Sequence, residues 1–122
     1  MIYFFGFAEH SGIYIGNNEI VHLNGKGKIE IVNPKEFINN TTAISIYVSC
    51  KNNMPVGSEK VAKRAKNMIN KKRDYNVLFD NCHQFTSGCL TGDFENYDNF
   101  LWMLKDTAIK ILSCNTWRVW DI

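Results

Sequence analysis

Two histidines and one cysteine are the residues best suited to chemistry in this chain of 122 residues. His10 and His22 stand on either side of the turn formers Gly16-Asn17-Asn18, in a pattern typical of a β-hairpin. Cys82 follows Asn81, where a strand-like segment gives way to a helical one. A cysteine sulfur and an imidazole are the nucleophile and the general base of thiol enzymes. If the fold brings them together, the sequence predicts thiol chemistry.

The spacing of the two histidines predicts the register of this hairpin. Their midpoint is residue 16, so an odd-length loop or a bulge there places both imidazoles on one face, opposite each other. A plain two-residue turn at Asn17-Asn18 would separate them. With both histidines on one face, Gly12 is expected to leave open space beside His10. The opposite, core-facing side then carries aliphatic residues, namely Ile13, Ile15, Val21 and Leu23.

Cys82 is expected in the first turn of a helix that Asp80 or Asn81 caps. Unpaired backbone N–H groups and the helix dipole stabilise a thiolate there, and an adjacent imidazolium lowers the thiol pKa further. A backbone N–H near Asn81 could also hold an oxyanion, although capping alone explains this residue equally well. Cys89 is interpreted as a small buried residue beneath the site. His83 is predicted on the helix surface, because it cannot share the direction of Cys82.

The elements that must position these residues form an α+β pattern. Short segments rich in β-branched and aromatic residues predict strands at residues 2–7, 12–15, 19–23, 28–32 and 43–48. Helices are predicted from a Ser58 cap, from about residue 80, and over residues 97–112. The last helix has an inner stripe of Phe100, Leu101, Leu104, Ala108, Ile111 and Leu112. Pro34 and Pro55 are expected in loops. We expect one domain over residues 1–122, a small antiparallel sheet with helices packed against it.

Composition and charge exclude several classes of protein. Fourteen basic residues against twelve acidic ones leave +2, too little to indicate a nucleic-acid partner. No apolar stretch reaches the ~20 residues that cross a bilayer, and the apolar N-terminal run has no basic flank typical of a secretory signal. Four cysteines without CxxC spacing favour reduced thiols, and therefore a cytoplasmic location.

The positive charge is concentrated in residues 58–73, where seven basic side chains accompany Glu59. Such a helix could contact anionic lipid head groups at about 1 kcal/mol per basic side chain, which would make the protein peripheral to a membrane. A solvated outer face is the favoured interpretation. Trp102, Trp117 and Trp120 are similarly open to membrane contact or core packing, and packing is favoured.

The paired motifs resemble the lecithin:retinol acyltransferase family, including the H-Ras-like suppressor acyltransferases and phospholipases. They read His10-x-Gly-Ile-Tyr-Ile-Gly-x-x-x-Ile-Val-His22-Leu, then Asn81-Cys82-x-x-Phe85, then Cys89-x-x-Gly92. The resemblance covers roughly residues 3–92. It implies a circularly permuted papain-like fold of the NlpC type and no cofactor.

The same resemblance implies a role for each site residue. Cys82 would be the nucleophile, His10 the general base and His22 the residue that orients His10. The implied reaction is hydrolysis or transfer of an acyl group from an ester or amide, with an acyl-bearing small molecule or lipid as the substrate. The family box continues Asn-Cys-Glu-His-Phe, whereas here His83 and Gln84 follow Cys82.

Three alternatives stay open at the level of sequence. An NlpC-type peptidase or amidase would cleave peptidoglycan or an isopeptide bond with the same residues. A catalytically silent interaction module would keep the motifs without the reaction. A zinc site could use His10, His22 and Cys82 as three ligands with an open fourth position.

Overall fold

The computed structural model describes residues 1–5, 9–39, 41–71 and 80–120, with the side chains of Asp80 and Asn81 outside that description. The strands are β1 (Ile2–Phe4), β2 (His10–Gly16), β3 (Glu19–Leu23), β4 (Ile29–Val32), β5 (Ile46–Lys51), β6 (Met54–Pro55) and β7 (Thr116–Trp120). The helices are α1 (Pro34–Ile38), α2 (Glu59–Asn67), α3 (Asp80–Thr91) and α4 (Leu101–Leu112).

The strands form an antiparallel sheet in the order β4-β3-β2-β1-β5-β6, and β7 adds to β5. Two apolar cores lie against it. The larger core joins alternate residues of the first strands to helices α2, α3 and α4, while the smaller one joins the intervening residues to α1. The predicted α+β class with an antiparallel sheet and packed helices is therefore confirmed.

The β2–β3 hairpin confirms the predicted sidedness of the histidines. Asn17 and Asn18 form a two-residue turn with φ of 54° and 59°, the left-handed conformation that such hairpin turns require. A register shift between Tyr14 and Gly16, typical of a bulge, then restores the parity that the plain turn would lose. Burial agrees, since Ile13, Val21 and Leu23 lie in the larger core with Ile15 packed against it.

The direct opposition of His10 and His22 about residue 16 was wrong. The strands pair Ile13 with Val21, and continuing that register by one residue brings Gly12 opposite His22. The histidines are therefore diagonal neighbours on one face, close enough for long side chains to meet. The bulge moves the register by one residue, and the observed pairing differs from the predicted one by two residues, which leaves the faces unchanged.

Helix α1 was not predicted, and Pro34 was wrongly assigned to a loop. Asn33 accepts a hydrogen bond from the backbone N–H of Glu36, and the Glu36 side chain accepts one from the backbone N–H of Asn33. This reciprocal capping box, with Pro34 at the first helical position, is a strong helix start. Pro55, also expected in a loop, ends β6. Helix α1 places Phe37 in the smaller core.

Helix α2 begins as predicted. The Ser58 hydroxyl caps it by accepting a hydrogen bond from the backbone N–H of Val61 at 3.4 Å. Lys60, Lys63 and Lys66 are exposed. Arg64 is not a solvated side chain, because it donates to the backbone oxygens of Cys89 and Leu90 near the end of α3. Lys72 and Arg73, the end of the basic segment, lie outside the described residues.

The C-terminal part differs most from expectation. Helix α4 begins at Leu101 rather than at residue 97, and strand β7 follows it. Leu101, Leu104, Ala108 and Leu112 are buried as predicted, whereas Phe100 and Ile111 are about half exposed. Trp102 is 63% exposed, against the expectation of core packing, while Trp117 and Trp120 pack against the two cores. Within the described ranges, no helix combines the length and apolarity needed to span a bilayer.

Candidate active site

The three predicted site residues line one cavity of about 260 Å³. His10 is the first residue of β2, His22 lies in β3, and Cys82 is the third residue of α3, in the first turn as predicted. Cys82 is 2% exposed and His22 is 7% exposed, so the cavity reaches side chains that are otherwise buried. Capping by Asp80 or Asn81, and the strand-like approach at residues 75–79, lie outside the described residues.

The two histidines form a hydrogen-bonded chain that ends on a carboxylate. His10 Nε2 lies 2.7 Å from His22 Nδ1. The other ring nitrogen of His22, Nε2, lies 3.0 Å from Glu30 Oε1. Glu30 is directly opposite His22 in the β3–β4 pairing, so the sheet register itself sets this contact. The arrangement is a relay of three side chains across β2, β3 and β4.

Protonation of the relay follows from burial and from the Glu30 carboxylate. Burial alone would raise the pKa of Glu30, but hydrogen bonds from His22 and Asn24 hold it below its usual value, so the carboxylate is ionised. Burial lowers the pKa of His22 despite the opposing effect of Glu30, so the ring is neutral at neutral pH. Neutral His22 donates Nε2–H to Glu30 and accepts at Nδ1 from His10 Nε2–H. The unprotonated nitrogen of His10 is then Nδ1.

Burial, with smaller contributions from His22 and His83, holds the pKa of His10 well below its ordinary value. His10 is therefore neutral at neutral pH. Burial therefore opposes the imidazolium that was expected to stabilise a Cys82 thiolate, because desolvation penalises the charged ring. A neutral imidazole with an unprotonated nitrogen is suited to accept a proton rather than to balance a preformed anion.

Phe37 covers the histidine pair from helix α1. Its ring centroid lies 5.1 Å from that of His10 and 5.7 Å from that of His22. The open space expected at Gly12 is absent. A Cβ there would lie 3.0 Å from the backbone oxygen of Val21 and 3.1 Å from atoms of Ile20 and Phe37. Gly12 thus allows close packing against the pair, which shields it from water.

His83 was wrongly placed on the helix surface. It is 2% exposed, and its Nδ1 lies 2.8 Å from the hydroxyl of Ser11 on β2. Burial lowers the pKa of His83 to about 4, so this ring too is neutral at neutral pH. Helix α3 is covered on several sides, and a residue next to Cys82 on the helix is therefore still buried.

Two further expectations were the burial of Cys89 and, as an alternative, a zinc site. Cys89 is fully buried in the larger core, as predicted for a small buried residue. The zinc alternative finds no support in the geometry, because His10 Nε2 and His22 Nδ1 face each other at hydrogen-bond distance rather than converging on a common point. The described residues contain no group of three or more His, Cys, Asp or Glu arranged for a metal ion.

Glu30 and Phe37 are the site residues that sequence reasoning missed. A signal for Glu30 was present, since the midpoint of His22 and Glu30 falls at Lys26 in the turn-forming run Asn24-Gly25-Lys26-Gly27. The register argument used for the first hairpin, applied to the second, would have paired them. Phe37 could have been placed near the site only if the capping box of α1 had been recognised.

A comparison with protein families extends these observations. A family model described as lecithin retinol acyltransferase matches residues 2–95. The matched region runs from β1 to the end of α3 and contains His10, His22, Glu30 and Cys82. A search of curated proteins gave no match.

Proposed function

Since the chain belongs to the lecithin retinol acyltransferase family, we propose that it is a cysteine-dependent acyltransferase or hydrolase whose acyl group passes through a thioester on Cys82. The family suggests acyltransferase or hydrolase activity in general. Within that general activity, we propose an ester or amide, in particular a lipid acyl ester, as the substrate. His10 acts as general base, with His22 and Glu30 orienting it.

One observation carries this proposal. Cys82, His10 and His22 line the same cavity, and the hydrogen-bonded relay leaves Nδ1 of His10 as its unprotonated nitrogen. A buried thiol in the first turn of a helix, lining the same cavity as a neutral imidazole, supports nucleophilic catalysis. The chain order, with the histidine hairpin before the cysteine helix, supports a permuted papain-like fold of the NlpC type.

The first half of the reaction forms the thioester. His10 Nδ1 takes the proton of the Cys82 thiol as the sulfur bonds to the substrate carbonyl carbon. Backbone N–H groups of the first turn of α3 stabilise the oxyanion. The intermediate collapses, the carbonyl re-forms, and the leaving alcohol or amine takes the proton from His10. The transient imidazolium is stabilised through His22 by the Glu30 carboxylate.

The second half releases the acyl group. His10 takes a proton from water, an alcohol or an amine, whose oxygen or nitrogen bonds to the thioester carbon. Collapse of this intermediate expels the Cys82 sulfur, which recovers its proton from His10. Water gives hydrolysis and the other acceptors give acyl transfer.

The cavity limits which part of a substrate reaches the sulfur. Its volume of about 260 Å³ lies just below the ~300–1,000 Å³ of typical ligand pockets, so an ester group and its nearest atoms fit while a long chain extends outside. Besides the three site residues, its lining combines aromatic rings, uncharged polar side chains and two acidic residues, namely Phe4, Phe37, Asn24, Asn39, Thr41, Glu9 and Glu36. The two acidic residues disfavour an anionic group at this site, so the lining is suited to a neutral ester with one apolar arm.

Turnover of a defined substrate panel tests the proposal. Phosphatidylcholine in mixed micelles, with and without an added primary amine, should yield fatty acid or N-acyl amine, and Cys82→Ser should abolish both products. Cleavage of a muropeptide without reaction of the lipid would favour the peptidase alternative. No turnover of either substrate, together with no acylation of Cys82, would favour the interaction module. Lipid turnover that survives Cys82→Ser would contradict the proposal.

A further inference from the structure

A second histidine cluster lies on the other side of β2 and has no part in the mechanism above. His83 follows Cys82 on α3 and is 2% exposed. Its Nδ1 lies 2.8 Å from Ser11 Oγ, and its Nε2 lies 3.8 Å from a carboxylate oxygen of Glu9. His83 thus contacts residues on both sides of His10 in sequence.

The cluster continues to the backbone of the proposed nucleophile. Ser11 Oγ lies 3.0 Å from Thr86 Oγ1 and 3.4 Å from the backbone oxygen of Cys82. The Thr86 hydroxyl donates to that same oxygen at 2.9 Å. Ser11, Thr86 and His83 are each buried, so water does not compete for these hydrogen bonds. Two hydroxyl groups therefore converge on the carbonyl of Cys82.

The Ser11 hydroxyl has one proton and three acceptors within reach, and His83 decides which one receives it. The Glu9 carboxylate favours the proton of the neutral ring on Nε2, which leaves Nδ1 as an acceptor. Ser11 then donates over its shortest contact, to His83 Nδ1, while Thr86 donates to Cys82. Without the ring, Ser11 would turn to the Cys82 carbonyl or to Thr86.

Adjacent residues of a strand point to opposite faces, so Ser11 joins α3 while His10 turns to the cavity. The contact between the start of α3 and Ser11 consequently sets the position of Cys82 relative to His10. We propose that His83 is a positioning residue, which through Ser11 and Thr86 fixes the Cys82 backbone and so aims the sulfur at His10. The inference rests on the proposed function of Cys82.

Pre-steady-state acylation by p-nitrophenyl butyrate tests this role. The rate constant of the nitrophenolate burst reports attack by Cys82 and requires no knowledge of the natural substrate. His83→Phe keeps a ring but removes both nitrogens, and Thr86→Val keeps the shape but removes the hydroxyl. Both should acylate about 10- to 100-fold more slowly, because small misplacements of reacting groups cost rates of this order. His83→Asn, whose amide can replace the Nδ1 contact, should restore most of the rate.

Ser87→Ala is the matched control. Ser87 is a fully buried hydroxyl one residue beyond Thr86, and it donates to Asp98 at 2.6 Å instead of to the Cys82 backbone. Its loss should lower the melting temperature while leaving the burst rate near that of wild type. A wild-type rate in His83→Phe and Thr86→Val, or an equal loss in Ser87→Ala, would overturn the positioning role. A wild-type protein without a burst from Cys82 would instead overturn the proposed function, and the inference with it.

Discussion

The start of strand β2 carries two histidine clusters, one on each face, and they differ in what they contact. On one face His10 bonds His22, which bonds Glu30, and His10, His22 and Cys82 line one cavity. On the other face Ser11 bonds His83 and Thr86 among fully buried groups. Burial lowers the pKa of the histidine rings on both faces. Charge state therefore does not distinguish the clusters.

Access to the sulfur distinguishes them. His10 shares a cavity with Cys82, and its partners end on an ionised carboxylate that can stabilise a transient imidazolium. His83 is itself buried, and it contacts hydroxyl groups that bond the Cys82 backbone as well as the Glu9 carboxylate, 3.8 Å from its Nε2. We therefore propose proton transfer for the histidine on one face and alignment for the histidine on the other. The shared cavity, rather than a carboxylate partner, makes His10 and not His83 the proposed base.

Replacing each histidine by asparagine should give the largest difference in kcat between the two faces. His10→Asn removes the proposed general base, and kcat should fall by about 10²- to 10⁴-fold, the range that general bases contribute. His83→Asn should keep most of kcat, because an amide preserves the contact with Ser11. Turnover of a lipid ester by both variants, measured with thermal melts, checks this. Equal losses in the two variants would remove the distinction.

The free energy of unfolding should fall in acid, because the buried histidine rings resist protonation in the folded state. The folded pKa of His83, about 4, lies below the unfolded value of about 6.5, so only the unfolded chain takes up the proton between these values. Stability is then complete above pH 6.5 and falls as pH drops toward 4, by on the order of 3 kcal/mol for this ring. Burial outweighs the nearby Glu9 carboxylate.

Urea unfolding between pH 7 and 4 measures this dependence. His83→Phe, which cannot titrate, should flatten the curve, whereas His10 and His22 continue to contribute in the same direction because burial lowers the pKa of both rings. An unchanged slope in His83→Phe would show that His83 takes up its proton equally in both states.

Neutralising the end of the relay should have a smaller effect on catalysis. Glu30→Gln removes the charge that fixes the His22 proton on Nε2 and stabilises the imidazolium at His10. We expect kcat to fall about 10- to 100-fold with KM unchanged, as for partners that orient a functional histidine. Glu19→Gln removes a carboxylate at the turn end of β3 and is the control. A change in KM alone would place Glu30 in substrate binding.

Packing against the histidine pair should give the smallest change. Gly12→Ala forces a Cβ against the Val21 backbone oxygen and Phe37, at an expected cost of about 1–3 kcal/mol in unfolding free energy. Gly57→Ala meets open space within 4 Å and is the matched control. Denaturant unfolding measures both. Equal stabilities would show that Phe37 shifts without cost.

The sequence predicted the sidedness of the hairpin because the alternation of aliphatic and polar residues along each strand is a local pattern. It also predicted the first-turn position of Cys82 and the cap at Ser58. It did not predict the register itself, because neither the exact turn residues nor the one-residue bulge between Tyr14 and Gly16 can be located from periodicity alone. The capping box at Asn33 and Glu36 was readable, but Pro34 was taken as a loop signal.

The sequence also failed to predict which side chains are buried by neighbouring helices and strands. His83 and Arg64 are polar, and their neighbours in sequence do not show where they lie. Strand β2 covers His83, and the backbone of α3 accepts hydrogen bonds from Arg64. Phe100, Ile111 and Trp102 are apolar yet exposed, because the inner stripe of α4 is narrower than its apolar composition. The neutral state of His10 likewise depends on Phe37 and the sheet, which only the three-dimensional structure supplies.

The central claim is that Cys82 carries the acyl group. Rapid acid quench of a reaction with phosphatidylcholine, followed by peptide mass spectrometry, measures it directly. We predict one acyl group on the peptide that contains Cys82 in wild type, much slower acylation in His10→Asn and none in Cys82→Ser. Lipid turnover with no acyl group on Cys82, or an acyl group mapped to Cys50, Cys89 or Cys114 instead, would contradict the claim.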